Sequence, residues 1–155
     1  MTGFNAFEYA ASPVNALREA RRVARPGGIL VIATWGQPDD CEAAGHLKAL
    51  GALMPPTPPG APGPFALSDE AKLKALASEA GLTPMAVADV ECTWVYPDLD
   101  MALRAMLSAG PAERAIRNSG MDRARDAVAA SIVAYRQPSG QYRLNNKFRY
   151  LLARS

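Results

Sequence analysis

The stretch from Ala16 to Trp35, ALREARRVARPGGILVIATW, decides the fold. Leu17, Ala20 and Ala24, with Val14 just before them, fall on one side of a 3.6-residue period. Arg18, Glu19, Arg21 and Arg22 fall on the other, which predicts an amphipathic helix. Arg25-Pro26-Gly27-Gly28 stops it, because two glycines permit a sharp reversal and arginines in the last turn sit well against the helix's negative end. The run Ile29 to Trp35 that follows is continuous, branched and apolar, as expected of a strand covered on both faces in a parallel sheet. Helix, Pro-Gly-Gly turn and buried strand make half of a βαβ unit.

Upstream, Ser12-Pro13 starts the helix: the serine oxygen can accept an orphan backbone N–H, and proline at the first helical position loses no hydrogen bond. Met1 to Ala10 is apolar and aromatic (Phe4, Phe7, Tyr9), has no helix start and almost no strand length, and is expected to be the tail of something whose beginning is absent. Downstream, Asp39 or Asp40 is placed to cap a second helix through Cys41, Leu47, Leu50 and Leu53, weakened by Gly45 and Gly51. Residues 54–64 hold six of the thirteen prolines, which forbids regular hydrogen bonding and predicts a stiff, extended surface connection. Ser68 with Asp69 and Glu70 starts a third helix with Leu73, Leu76 and Ala77 as its buried stripe and Gly81 as its terminator. Pro84 to Tyr96 alternates as a strand, and Pro97 ends it. Helices are predicted over Leu99 to Ala109, Pro111 to Asn118 and Met121 to Gln137, and a last strand over Gln141 to Ala153. The chain thus divides into an α/β part (1–98), a helical insert (99–137) and a final strand segment (138–155).

Composition bounds what such a chain does. At 155 residues a domain buries roughly 68–70% of its unfolded surface, enough for a core without staples. Two cysteines, Cys41 and Cys92, have neither the number nor the spacing of a disulfide framework or zinc site, and a reducing cytoplasmic setting is expected. No metal is expected. With one histidine, His46, and no clustered ligands, most metal-dependent hydrolases and His-based triads are excluded. No apolar run approaches the roughly 18 residues of a spanning helix, and the amino terminus has no basic region followed by an apolar stretch, which argues against a membrane partner and export. Residues 1–99 carry 7 basic and 11 acidic groups and residues 100–155 carry 10 and 4. The basic groups of the second part alternate with apolar ones, which favours solvated faces over a nucleic-acid surface.

GFNAFEYA (Gly3 to Ala10) followed by ALREARRVARPGGILVIATW resembles the fourth strand end, fourth helix and fifth strand of class I S-adenosylmethionine-dependent methyltransferases. Its most recognisable core is Leu17-x-Glu19-x-x-Arg22-Val23 running into Arg25-Pro26-Gly27-Gly28. A helix ending at Ala80-Gly81-Leu82, a sixth strand, a helical insert and a final strand continue the likeness over most of the chain. The resemblance implies a Rossmann-like α/β sheet with strands ordered fifth, seventh, sixth, the last antiparallel between the other two. It implies S-adenosylmethionine as the cofactor of the complete protein, with Gly3, Phe4, Asn5 and Phe7 beside its methionine part. The family's glycine-rich turn, resembling G-x-G-x-G, and its ribose-holding acid have no counterpart here. The chain is therefore expected to be the carboxy-terminal half of a methyltransferase, inactive alone and binding the cofactor poorly.

In an open α/β sheet, ligands collect at the carboxyl ends of the parallel strands. Trp35 and Tyr96 lie at such ends, and the segment Leu99 to Gln137 leaves the sheet at that edge, so Trp35, Tyr96 and Met106 are candidates for a wall against a small-molecule acceptor. For each of these and for Phe4 and Phe7, simple core packing is the competing reading. Cys41 and Cys92 read as apolar filler rather than nucleophiles. His46, with Glu42 four residues earlier, reads as half of a surface ion pair. Ile29 to Trp35 lacks most of a fourth-strand partner, and that bare apolar edge predicts a homodimer. The alternative to a truncated enzyme is a non-enzymatic dimerisation or partner-binding module built on the same half-fold.

Overall fold

In the computed structural model, which describes residues 1–56 and 63–155, four strands form one mixed sheet. They are β1 (Thr2–Phe4), β2 (Ile29–Trp35), β3 (Thr83–Tyr96) and β4 (Tyr142–Arg154), in the spatial order β1-β2-β4-β3. β1 runs parallel to β2, pairing Thr2 with Val31 and Phe4 with Ala33. β4 runs antiparallel to β2, from Ile29 opposite Arg154 to Trp35 opposite Phe148. The proline-rich connection predicted over residues 54–64 falls largely outside the described residues.

The described residues divide into two units. The α/β unit comprises residues 1–40, 63–92 and 147–155. Its helices α1 (Pro13–Val23) and α3 (Glu70–Glu79) cover one side of the sheet. Leu17, Ala20, Leu73 and Ala77 meet Leu30, Ile32, Leu151 and Ala153 there, all at most 3% exposed. The sequence explains both helix starts. Ser12 Oγ accepts the Asn15 N–H with Pro13 in the first turn, and Asp69 Oδ1 accepts the Lys72 N–H at 2.7 Å. Asp69, not Ser68, is thus the cap of α3, since the Ser68 hydroxyl donates backwards to the Phe65 carbonyl. Gly27 (φ 72°) and Gly81 (φ 80°) take the left-handed conformation after α1 and α3 that a side chain would resist.

The helical unit comprises residues 41–56 and 93–146, wider than the insert expected over 99–137. In it α2 (Ala44–Gly51), α4 (Leu99–Leu107) and α5 (Gly110–Ser119) pack on α6 (Met121–Ile132). The core is rich in alanine, with Ala102, Ala112, Ala115 and Ala124 fully buried, which brings the helices close. Two boundaries differ from expectation. Neither Asp39 nor Asp40 caps α2: both lie in a 3₁₀ turn (Pro38–Asp40), and α2 begins after Ala43, the N–H of which donates to Asn146 Oδ1 at 2.9 Å. The helix predicted to reach Gln137 ends at Ile132 and continues as a 3₁₀ turn, Val133–Tyr135. No helix among the described residues is long and apolar enough to cross a membrane.

The edge of β2 expected to be bare is partly covered. β1 pairs along Val31 to Ala33, Met1 C=O accepts the Val31 N–H, and the terminal ammonium of Met1 donates to the Ile29 carbonyl at 2.8 Å.

Candidate functional site

Two parallel strands, β1 and β2, end side by side, and the sequence-predicted residues lie in β1 (Gly3, Phe4) and in the turn that leaves it (Asn5, Phe7). Gly3 is required by its neighbour: a β-carbon there would stand 2.3 Å from Cε2 of Phe7. Phe7 packs on the core beneath α1, so it serves as an anchor, whereas Phe4 is 68% exposed. Asn5 takes a left-handed conformation (φ 44°), tolerated by asparagine better than by most residues. Its N–H donates to the Ala33 carbonyl at 2.9 Å, while its side-chain Oδ1 is buried without a partner.

Two residues that sequence reasoning passed over complete this edge. Glu8, in the 3₁₀ turn Phe7–Tyr9, is 1% exposed and one of its carboxyl oxygens has no partner. Burial pushes its pKa up to about 7, against the opposing effect of backbone N–H groups of Glu8 and Ala6. Burial, and then the Glu8 charge, also raises Tyr9. Thr34 on β2 is fully buried with its hydroxyl unpartnered. A lone acid in an aromatic run carries no periodic signal. What would have marked Glu8 is that it sits one turn past the carboxyl end of a parallel strand.

The substrate-side candidates are divided between the units, Trp35 in the α/β unit and Tyr96 and Met106 in the helical unit. Trp35 is 6% exposed and closed in by aromatic neighbours, Phe148 at 4.6 Å and Phe65 at 5.6 Å between ring centroids. Met106 is 3% exposed within the helical core, and Tyr96 packs against that same core. Met106 is therefore a packing residue of its own unit. His46 is corrected as well. It is buried against Trp94 (ring centroids 6.1 Å apart) rather than paired at the surface, with Nδ1 unpartnered. Desolvation pulls its pKa down to about 4. The expected partner, Glu42, instead accepts the Asn145 N–H. Cys41 is buried and Cys92 half-buried, neither in a disulfide.

Beside the Phe4-Asn5 loop, the sheet face opposite α1 and α3 opens into an apolar groove of about 550 Å³, lined by Phe4, Val31, Ala33, Cys92, Tyr150 and Leu152 among others. Arg149, at its margin, is tied down. Nε and Nη2 donate to the two Asp89 oxygens at 2.7 and 2.8 Å, and Nη1 donates to the Ser68 carbonyl at 2.7 Å. Hydrogen bonding to Arg149 holds the Asp89 carboxyl below its ordinary range. Among the described residues no group of three His, Cys, Asp or Glu is arranged to hold a metal ion.

No protein-family model matches this sequence, and no curated protein does. Solved structures do match. A candidate methyltransferase of Bacillus halodurans superposes with a TM-score of 0.53 at 12% identity, covering 99% of this chain and 67% of its own. The YcgJ protein of Bacillus subtilis gives 0.50 at 19%, covering 99% and 62%. A candidate type II methyltransferase of Anaeromyxobacter dehalogenans gives 0.50 at 18%, covering 89% and 57%. Likeness at these identities is a likeness of fold. The chain has an α/β, methyltransferase-like fold and spans roughly three-fifths to two-thirds of the length of these structures.

Proposed function

We propose that this chain is the carboxy-terminal part of an S-adenosylmethionine-dependent methyltransferase acting on a small molecule, with β2, β4 and β3 as its fifth, seventh and sixth strands. The observation that carries the reading is the β1–β2 edge. A parallel pair ends there with an exposed aromatic, Phe4, as the last residue of β1 and a buried, unpartnered amide oxygen on Asn5 just after it. That oxygen suits the ammonium of a methionine moiety. The rest of the cofactor does not fit the residues at hand, because the sequence has neither a glycine-rich turn after a strand nor an acid placed for the ribose. The isolated chain is accordingly expected to be inactive, and the complete protein to sit in the cytoplasm.

The test is calorimetric titration with S-adenosylmethionine. The chain alone is expected to show no low-micromolar binding. A fusion placing a glycine-rich strand–turn–helix half ahead of Thr2 is expected to bind, and Asn5→Ala in that fusion to weaken it. Low-micromolar binding by the chain alone, or a cooperatively unfolding fusion that does not bind, overturns the assignment. The second reading, a homodimerising module without chemistry, is favoured by the exposed apolar residues Met1, Phe4 and Ile29 around the β1 edge. Light scattering reporting twice the chain mass at micromolar concentration, together with a non-binding fusion, supports that reading instead.

A further inference from the structure

Resting on the methyltransferase reading, we propose that Glu8, as the uncharged acid, is a positioning residue: it seats the turn Phe7–Tyr9 on α1, through that turn it fixes Asn5, and its ionisation frees both. Among the described residues four buried side-chain oxygen or nitrogen atoms have no partner, and three of them, Asn5 Oδ1, Glu8 Oε1 and Thr34 Oγ1, belong to one corner of the sheet. Asn5 and Thr34 come one step beyond the paired residues Phe4 and Ala33, and Glu8 follows in the turn packed on α1. An amide oxygen and an ionised carboxylate only accept hydrogen bonds, so the Thr34 hydroxyl would be the sole donor of the three. The proton of neutral Glu8 supplies a second.

No base answers the ionised form. Glu8 makes no ion pair among the described residues. On α1, Arg18 is held by Asn15 and the Glu79 carbonyl, Arg22 by Glu19, and Arg21 lies against Gly81. β1 and β2 bear no titratable side chain, and the Met1 ammonium is bound to the Ile29 carbonyl at the far end of β1. Tyr9, in the turn itself, is an acid whose own ionisation the Glu8 charge opposes. A buried carboxylate so placed gains by moving to water. The turn is also the part that moves most cheaply. Its backbone bonds are internal, from Tyr9 N–H to Ala6 C=O at 3.3 Å and from Ala10 N–H to Phe7 C=O at 3.2 Å. β1 ahead of it has three residues, and Asn5 at the join is left-handed (φ 44°). When Glu8 swings out, Phe7 leaves its place over Gly3 and the Asn5 bond to Ala33 loses its anchor. Such an opening breaks far fewer contacts than unfolding the domain.

Amide hydrogen exchange of the chain itself reads this opening. Glu8 titrates at about 7 with the turn closed and near 4.5 with it open. Protection of the Asn5, Tyr9 and Ala10 N–H groups, corrected for the intrinsic exchange rate, is therefore expected to fall about 100-fold from pH 5 to 7 and to level off above. In low urea that exchange is expected to stay constant, the mark of a local opening, while exchange at Ile32 and Leu151 on the inner strands accelerates. Glu8→Gln, which keeps a donor and cannot ionise, is expected to hold high protection at both pH values. Glu8→Leu, which fills the space without a donor, is expected to show low protection at both. Wild-type protection that is flat from pH 5 to 7 overturns the proposal. So does a pH dependence that survives in Glu8→Gln, urea-dependent exchange matching that of the inner strands, or rescue by leucine as full as by glutamine. A fusion that binds S-adenosylmethionine, in a chain where exchange of the turn ignores pH, refutes the positioning role and leaves the enzyme reading intact. A pH-gated turn with a non-binding fusion does the reverse.

Discussion

The ring of Phe7 occupies the space that a side chain at Gly3 would need, with Cε2 lying 2.3 Å from where a β-carbon would be. The first strand and the turn after it are therefore locked together by one hydrogen atom. Gly3→Ala is expected to lower stability by about 1–3 kcal/mol, as overpacking does. Pairing it with Phe7→Leu should recover part of the loss. Thermal unfolding of the three variants checks this, and an unchanged midpoint for the single alanine would show that Phe7 is free to move.

Glu8 should make the protein less stable as pH rises. Its pKa stands at about 7 in the fold against 4.5 ordinarily, so between these values the folded chain keeps a proton that the unfolded chain has lost. Stability falls across that window and levels off above pH 7. Glu8→Gln is expected to match the wild type below pH 4.5 and to exceed it at pH 8 by roughly 3 kcal/mol. Urea unfolding at pH 4, 6 and 8 measures the difference.

His46 acts in the opposite direction. Neutral in the fold down to about pH 4, it takes up a proton below pH 6.5 once the chain unfolds, so stability is lost as pH falls from 6.5 to 4. His46→Leu should abolish that loss and also remove an unpartnered buried nitrogen. Between pH 4.5 and 6.5 the two residues oppose one another. The Glu8→Gln and His46→Leu stability curves are thus expected to tilt in opposite directions from the wild type.

Arg149→Met removes three hydrogen bonds that join β4 to Asp89 and to the backbone ahead of α3. The expected cost is about 2–4 kcal/mol, only partly restored by lysine, which lacks the planar fork. Carboxyl NMR of Asp89 should show its pKa rising toward the ordinary value. An unmoved Asp89 would mean that the pair does not persist in solution.

Met106→Ala is expected to destabilise the helical core by about 2–5 kcal/mol, since the side chain is 3% exposed. Denaturant unfolding reads that loss. An exposed lid residue would leave stability unchanged.

Much of the frame is local and was legible as such. The period of Val14 to Ala24, the Pro-Gly-Gly reversal and the branched run of Ile29 to Trp35 each encode one element within a few residues of themselves. The methyltransferase-like likeness of the fold followed from their order. What escaped depends on partners far along the chain. Glu42 has the spacing of a helical partner for His46, yet its carboxylate is taken by the backbone of Asn145, 103 residues away, and the imidazole turns inward to Trp94. Glu8 is an acid in a loop until the fold buries it, with α1 packed against its turn. Apolar alternation in β4 was visible, but not which of its two faces would be left open.

The strand order has a consequence for biosynthesis. β4 is the last strand in chain order and lies between β2 and β3, so Ile29 must wait for Arg154. At translation rates of about 5–20 residues per second, that wait is on the order of ten seconds. Throughout it, an apolar strand already clear of the ribosome has no neighbour on that side. Nascent chains are expected to lean on holdase chaperones, and stalled ribosomes to release aggregation-prone fragments, because a middle strand of this sheet is made after the other three.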